Sequence, residues 1–151
     1  MVLQAMESKA TTVYASELNM SHNPTSSISV LLIEPDDETR LLLTENLANR
    51  GYQVTVTLNV ADAISRARFG PSFSLILVNQ YRASADEAVS IGQRIRTEAG
   101  MQEQIPVIVM ADQYGEELEG QNHCVSPYCY IAYLSHGQQL WDLIDSLCPI
   151  Q

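Results

Sequence analysis

The residues of this chain that could do chemistry lie in two short stretches. The run EPDDE (34–38) follows the apolar SVLLI, and LILVNQ (75–80) ends an apolar run in Asn79, where the polar QYRASADE begins. Carboxylates gathered at one place can hold a divalent cation through their oxygens, and a single carboxylate can act as an anionic nucleophile. Asn79 is neutral: its amide oxygen is a poor nucleophile and a weak partner for a hard cation. Two roles remain open for it. It can donate a hydrogen bond to a neighbouring carboxylate such as Glu34, or it can cap the turn that follows its own strand.

The elements that must position these residues are legible as apolar runs of strand length alternating with amphipathic helical segments. SVLLIE (29–34), YQVTVTL (52–58), FSLILVN (73–79), IPVIVMA (105–111) and YCYIAYL (128–134) read as five strands. Between them fall helices over 37–51, with Asp37 as N-cap, Gly51 as stop and Leu41, Leu42 and Leu47 on the inner side, then over 60–69 and 85–100. A last amphipathic helix over 137–148 turns Leu140, Trp141, Ile144 and Leu147 inward. Continuous apolar strands point to a parallel sheet covered on both faces. With right-handed crossovers this predicts a flavodoxin-like three-layer α/β sandwich with a five-stranded parallel sheet in the order 2-1-3-4-5. Such sheets bind at the carboxyl ends of strands 1 and 3, where Glu34 and Asn79 fall. The segment 112–127, where a fourth helix belongs, has few aliphatic anchors and two glycines, so that helix is expected to be short, displaced or mobile.

Bulk properties narrow the function classes. A length of 151 residues suits one core. Residues 1–27 read as a flexible extension in front of a domain over 28–151, since SHNPTSSIS (21–29) across the boundary is small, polar and proline-punctuated. A net charge of −10 argues against direct nucleic-acid binding and against attachment to anionic lipid. No apolar run approaches the roughly 20 residues that span a bilayer. Three cysteines form no disulfide framework, so a reduced, soluble, cytoplasmic protein is expected.

Strand order, the acidic EPDDETR after strand 1, LILVNQ, IPVIVMA and YIAYLSHGQQLWDLI together make residues 29–148 resemble the receiver domain of two-component response regulators. The resemblance implies a site in which two acidic residues after strand 1 hold Mg²⁺ and an aspartate ending strand 3 accepts the phosphoryl group. A Thr or Ser ending strand 4 and a strand-5 lysine complete it. The corresponding residues here are Glu34 and Pro35, Asn79, Ala111 and Tyr133, of which only Glu34 keeps its chemistry. Register shifts cannot restore the site, because the only lysine is Lys9 and no aspartate lies between Asp62 and Asp86. The resemblance is therefore to a degenerate pseudo-receiver. Neither cofactor nor metal is expected, with Glu34 and Asp36 as the alternative pair should an ion bind.

The expected role follows: a signal-transduction module, not an enzyme, acting by phosphorylation-independent contact with a protein partner such as a signalling kinase, a regulator or a transcription factor. A second copy is the other candidate partner, through the face of helix 4, strand 5 and helix 5. Tyr128, Tyr130, Tyr133 and Trp141 are candidate contacts there, although core packing accounts for at least one of the tyrosines. The run EELE (116–119) is either a plain solvated surface or an attraction for a basic partner. Two other functions are weighed. A conventional phosphorelay receiver would need a displaced carboxylate, and a flavin- or nucleotide-binding enzyme would need a phosphate cradle where EPDD instead repels phosphate. His123, Cys124, Cys129 and His136 match no standard zinc spacing and read as ordinary residues.

Overall fold

The computed structural model describes residues 28–149; the extension expected over 1–27 lies outside the described residues. Six strands form one sheet in the order β2-β1-β3-β4-β6-β5: β1 (Ile28–Ile33), β2 (Tyr52–Thr57), β3 (Leu75–Asn79), β4 (Val107–Ala111), β5 (Asn122–Ser126) and β6 (Cys129–Tyr133). Every pairing is parallel except β5 with β6. The helices are α1 (Asp37–Asn49), α2 (Val60–Phe69), α3 (Ala85–Glu98) and α4 (Gly137–Leu147).

Each helix starts on a polar cap that satisfies a backbone N–H otherwise left without a partner. Asp36 accepts from the Thr39 N–H at 2.9 Å and so displaces Asp37 as the cap of α1. Asn59 accepts from Asp62 at 2.8 Å, and Ser84 and Glu87 form a reciprocal box at the start of α3. Alternate strand residues face opposite sides of the sheet. Val30, Leu32, Leu75, Leu77 and Ile108 pack with Leu43 and Leu47 of α1 and Leu140, Trp141 and Ile144 of α4. Leu31, Ile33, Ile76, Val78 and Val109 pack with Ala63 of α2 and Val89 and Ile95 of α3. The α1 stripe is turned from the expected one: Leu43 is fully buried, whereas Leu41 is 63% exposed. At Gly92 of α3 an added Cβ would sit 2.4 Å from Val107 Cγ1, so the helix lies directly on β4.

The five-stranded expectation is corrected to six, and the fourth helix is replaced. Residues Glu116–Leu118 make one 3₁₀ turn, and Asn122–Ser126 become the antiparallel edge strand β5. The reason is local. Between Gly115 and Pro127 only Leu118 and Val125 are aliphatic, too few for a helix face, while Gly120 takes a φ of 82° that breaks any helix. Pro127 and Tyr128, the latter at φ 64°, then turn the chain back into β6. Among the described residues no helix is long and apolar enough to cross a membrane. Cys124, Cys129 and Cys148 are all free thiols.

Candidate functional site

The carboxyl ends of β1 and β3 bring Glu34 and Asn79 into direct contact. Glu34 leaves β1 with its side chain fully buried and its backbone N–H bonded to the Thr57 carbonyl at 3.1 Å. Its Oε1 accepts from Asn79 Nδ2 at 2.5 Å, and its Oε2 accepts from the Asp36 N–H at 3.1 Å. Burial outweighs these hydrogen bonds and raises the Glu34 carboxyl from 4.5 to about 7. Near neutral pH this group exchanges between its acid and its anion.

Asn79 plays both roles that its sequence position left open. While Nδ2 donates to Glu34, Oδ1 accepts from the Tyr81 N–H at 2.6 Å. That second bond supports Tyr81 in a left-handed conformation, φ 50°, which a bulky residue rarely adopts. One amide therefore ties the end of β1 to the turn that leaves β3.

The next residue, Gln80, was given no role by sequence reasoning. It is buried, and its Oε1 accepts from the N–H groups of Asp112 at 3.1 Å and Gln113 at 3.3 Å. Ala111 ends β4 just before them, buried and without a polar side-chain atom. The signal that pointed here was faint: a polar residue next to Asn79 reads as the start of a loop, and its inward turn depends on the β3–β4 pairing.

The remaining candidates separate. Pro35 is exposed on the rim. Asp36 is engaged in capping α1, and the Thr39 N–H it accepts holds its carboxyl below the usual carboxylate range. Tyr133, at the end of β6, is buried and stacks edge-on with Tyr114 at 5.5 Å and with His123 at 5.1 Å between ring centroids. Trp141 is buried in the opposite layer under Arg50, whose guanidinium carbon is 4.6 Å from the ring centroid. The single aromatic face expected from Tyr128, Tyr130, Tyr133 and Trp141 is therefore corrected: Tyr133 and Trp141 are core residues on opposite sides of the sheet, and only Tyr128 is well exposed. Strand alternation and the amphipathic phase of α4 send these rings inward.

Mg²⁺ takes several carboxylate and water oxygens in octahedral geometry, and the carboxylates beside Asn79 are those of Glu34 and Asp36. Both Glu34 oxygens, one oxygen of the Asp36 carboxylate and Asn79 Oδ1 already accept hydrogen bonds within the chain. Elsewhere among the described residues, no three His, Cys, Asp or Glu side chains are grouped to hold a metal ion. His123 and Cys124 lie on β5, Cys129 is buried on β6, and His136 caps α4. Beside the site a groove of about 680 Å³ opens between the β2–α2 loop and the start of α3, with Leu58 and Tyr81 exposed along it.

No protein-family model matches the chain, and no curated protein matches it either. Among solved structures it is similar to a response regulator receiver protein from Sinorhizobium medicae WSM419. The identity is 15%, over 80% of this chain and 94% of that one, with a TM-score of 0.61. A response regulator from Thermotoga maritima is similar at 21% identity, 61% and 72% coverage and a TM-score of 0.48. A receiver protein from Pseudomonas putida follows at 17%, 60% and 73% coverage and 0.47. The first of these carries the conclusion on architecture: the chain has the receiver-domain fold of response regulators.

Proposed function

We propose that this chain is a signalling module of the receiver fold that acts by binding a protein partner, without enzymatic activity and without taking up a phosphoryl group at the end of β3. The observation that carries the reading is the amide of Asn79, bonded at once to Glu34 and to the Tyr81 N–H. Phosphoryl transfer to a side chain needs an anionic oxygen in line with the donor and cations to neutralise the charge spread over the transferred group. Asn79 offers no anion, Ala111 no hydroxyl and Tyr133 no cation. The same bonds satisfy the site internally, which favours a scaffold over a receptor for phosphate.

Incubation of the full chain with acetyl phosphate and Mg²⁺, followed by intact-mass spectrometry, tests this directly. The expected spectrum is unchanged. An adduct of one phosphoryl group, labile to hydroxylamine as an acyl phosphate is, refutes the reading.

A further inference from the structure

Resting on the reading above, we infer that the outer edge of β5 receives an extended, basic segment of a protein partner as a further strand of the sheet. Two independent features converge there. The first is the edge itself. Among the described residues β5 pairs with β6 on one side only, so alternate backbone N–H and C=O groups face outward without a strand partner there. The sequence NHCVS carries none of the lysines, acids or prolines with which exposed edges are usually blocked. Val125 and Tyr128 are each 46% exposed at its end, offering apolar area to an added strand. A register shift between Cys124 and Ser126 confines regular pairing to the Asn122–Cys124 end.

The second feature is charge. All seven arginines lie between Arg40 and Arg96, and no Lys or Arg follows. Of the acids from 97 onward, Glu98 pairs with Arg94 and Asp145 accepts from Tyr52 on β2, the opposite edge, and buried Arg96 reaches the Tyr128 carbonyl at 3.4 Å, so the exposed charge beside β5 is that of the run 116–119. Glu116, Glu117 and Glu119 are exposed just before β5, and α4 touches its start through Gln139 Nε2 and Asn122 Oδ1 at 2.9 Å. A second copy would bring these acids against their own kind, whereas a segment flanked by Lys or Arg meets opposite charge while its backbone completes the ladder.

The test uses the full chain and a short peptide of alternating valine and threonine flanked by lysines, with a glutamate-flanked peptide as control. Amide chemical shifts and hydrogen exchange locate the binding. The lysine-flanked peptide is expected to bind at least about ten-fold more tightly at low salt, with the gap closing near 0.5 M salt, and to protect amides of β5. Cys124→Lys, which places a cation on the exposed edge, is expected to weaken binding about ten-fold, while Cys124→Ser leaves it unchanged. Equal binding of the two peptides, no binding, or protection at β2 or in the groove beside Tyr81 overturns the inference. So does a dimer in sedimentation that Cys124→Lys dissolves, because a second copy then occupies the edge. Phosphoryl uptake by the wild-type chain removes the proposed function itself; failure of the peptide alone, with no uptake, removes only this use of β5.

Discussion

Replacing Asn79 by aspartate restores in name the carboxylate that a phosphorylatable receiver would carry, and the geometry predicts that it harms the protein. The substitution is nearly isosteric, and an aspartate oxygen can still accept the Tyr81 N–H. What is lost is the N–H donor to Glu34, a charge-assisted hydrogen bond worth roughly 1.5–3 kcal/mol. What is added is a second anion at hydrogen-bonding distance from a buried one, a repulsion of about 4 kcal/mol in a medium of intermediate polarity. The pair escapes by sharing a proton.

Protonation gives the effect a pH signature. In the wild type, Glu34 titrates at about 7 when folded against an ordinary 4.5, so the folded chain holds this proton more tightly than the unfolded one. Its contribution to stability is full below 4.5 and is lost as pH rises through 7, a total of roughly 3 kcal/mol, after which the curve levels. In the Asn79→Asp variant the shared proton persists to higher pH, and stability should keep falling by about 1.4 kcal/mol per pH unit beyond the wild-type plateau. Urea unfolding between about pH 5 and pH 9 should show the curves diverging above neutrality, with the variant roughly 3 kcal/mol weaker near pH 8. Parallel curves above pH 7, or equal stability at pH 8, would refute the electrostatic account of the Glu34–Asn79 pair.

Other perturbations isolate neighbouring parts of the same design. Glu34→Gln removes the titrating group, so the fall in stability between about pH 5 and pH 7 should vanish from the urea midpoints. Gln80→Ala strands the Asp112 and Gln113 N–H groups and should cost about 1–3 kcal/mol, with faster hydrogen exchange at those two amides. Gly92→Ala drives a Cβ into Val107 and should destabilise by about 1–2 kcal/mol in thermal unfolding, with recovery when Val107→Ala is added. Asn79→Asp treated with acetyl phosphate and Mg²⁺ should still acquire no phosphoryl group by intact-mass analysis, because Ala111 and Tyr133 supply neither hydroxyl nor cation.

The parts of the fold that were legible in the sequence are those where hydrophobic period and punctuation agree. The β1, β3 and β4 runs are apolar apart from Ser29 and the terminal Asn79, because α1 and α4 cover one face and α2 and α3 the other. Segment 112–127 resisted because its pattern is negative: a lack of helix anchors does not say what forms instead, and β5 exists only because β6 offers an edge. The phase of α1 was misread because three consecutive leucines satisfy more than one helical stripe, and Leu43 won the inward place over Leu41. The Glu34–Asn79 contact was legible because parallel neighbouring strands end side by side, with Ile33 opposite Val78. The inward turn of Gln80 was not, since a glutamine beside a strand end reads the same whether it faces water or a backbone amide.

The two amides at the end of β3 have a joint consequence. Asn79 binds the β1–α1 and β3–α3 connections together, and Gln80 binds the backbone that follows β4. A site that switches on a ligand does so because the ligand interacts differently with its two states, which requires groups that are better satisfied with the ligand than without it. Here the donors and acceptors of three adjoining connections already satisfy one another, and among the described residues no buried side-chain nitrogen or oxygen lacks a hydrogen bond. An anion drawn to the Asp112 and Gln113 N–H groups would compete with Gln80 for them, whereas the Glu34 and Asp36 carboxylates keep lone pairs beyond those their hydrogen bonds use. Under the proposed function, this end of the sheet holds the scaffold in one state, and information enters through surfaces whose polar groups still lack protein partners, of which the β5 edge is the clearest.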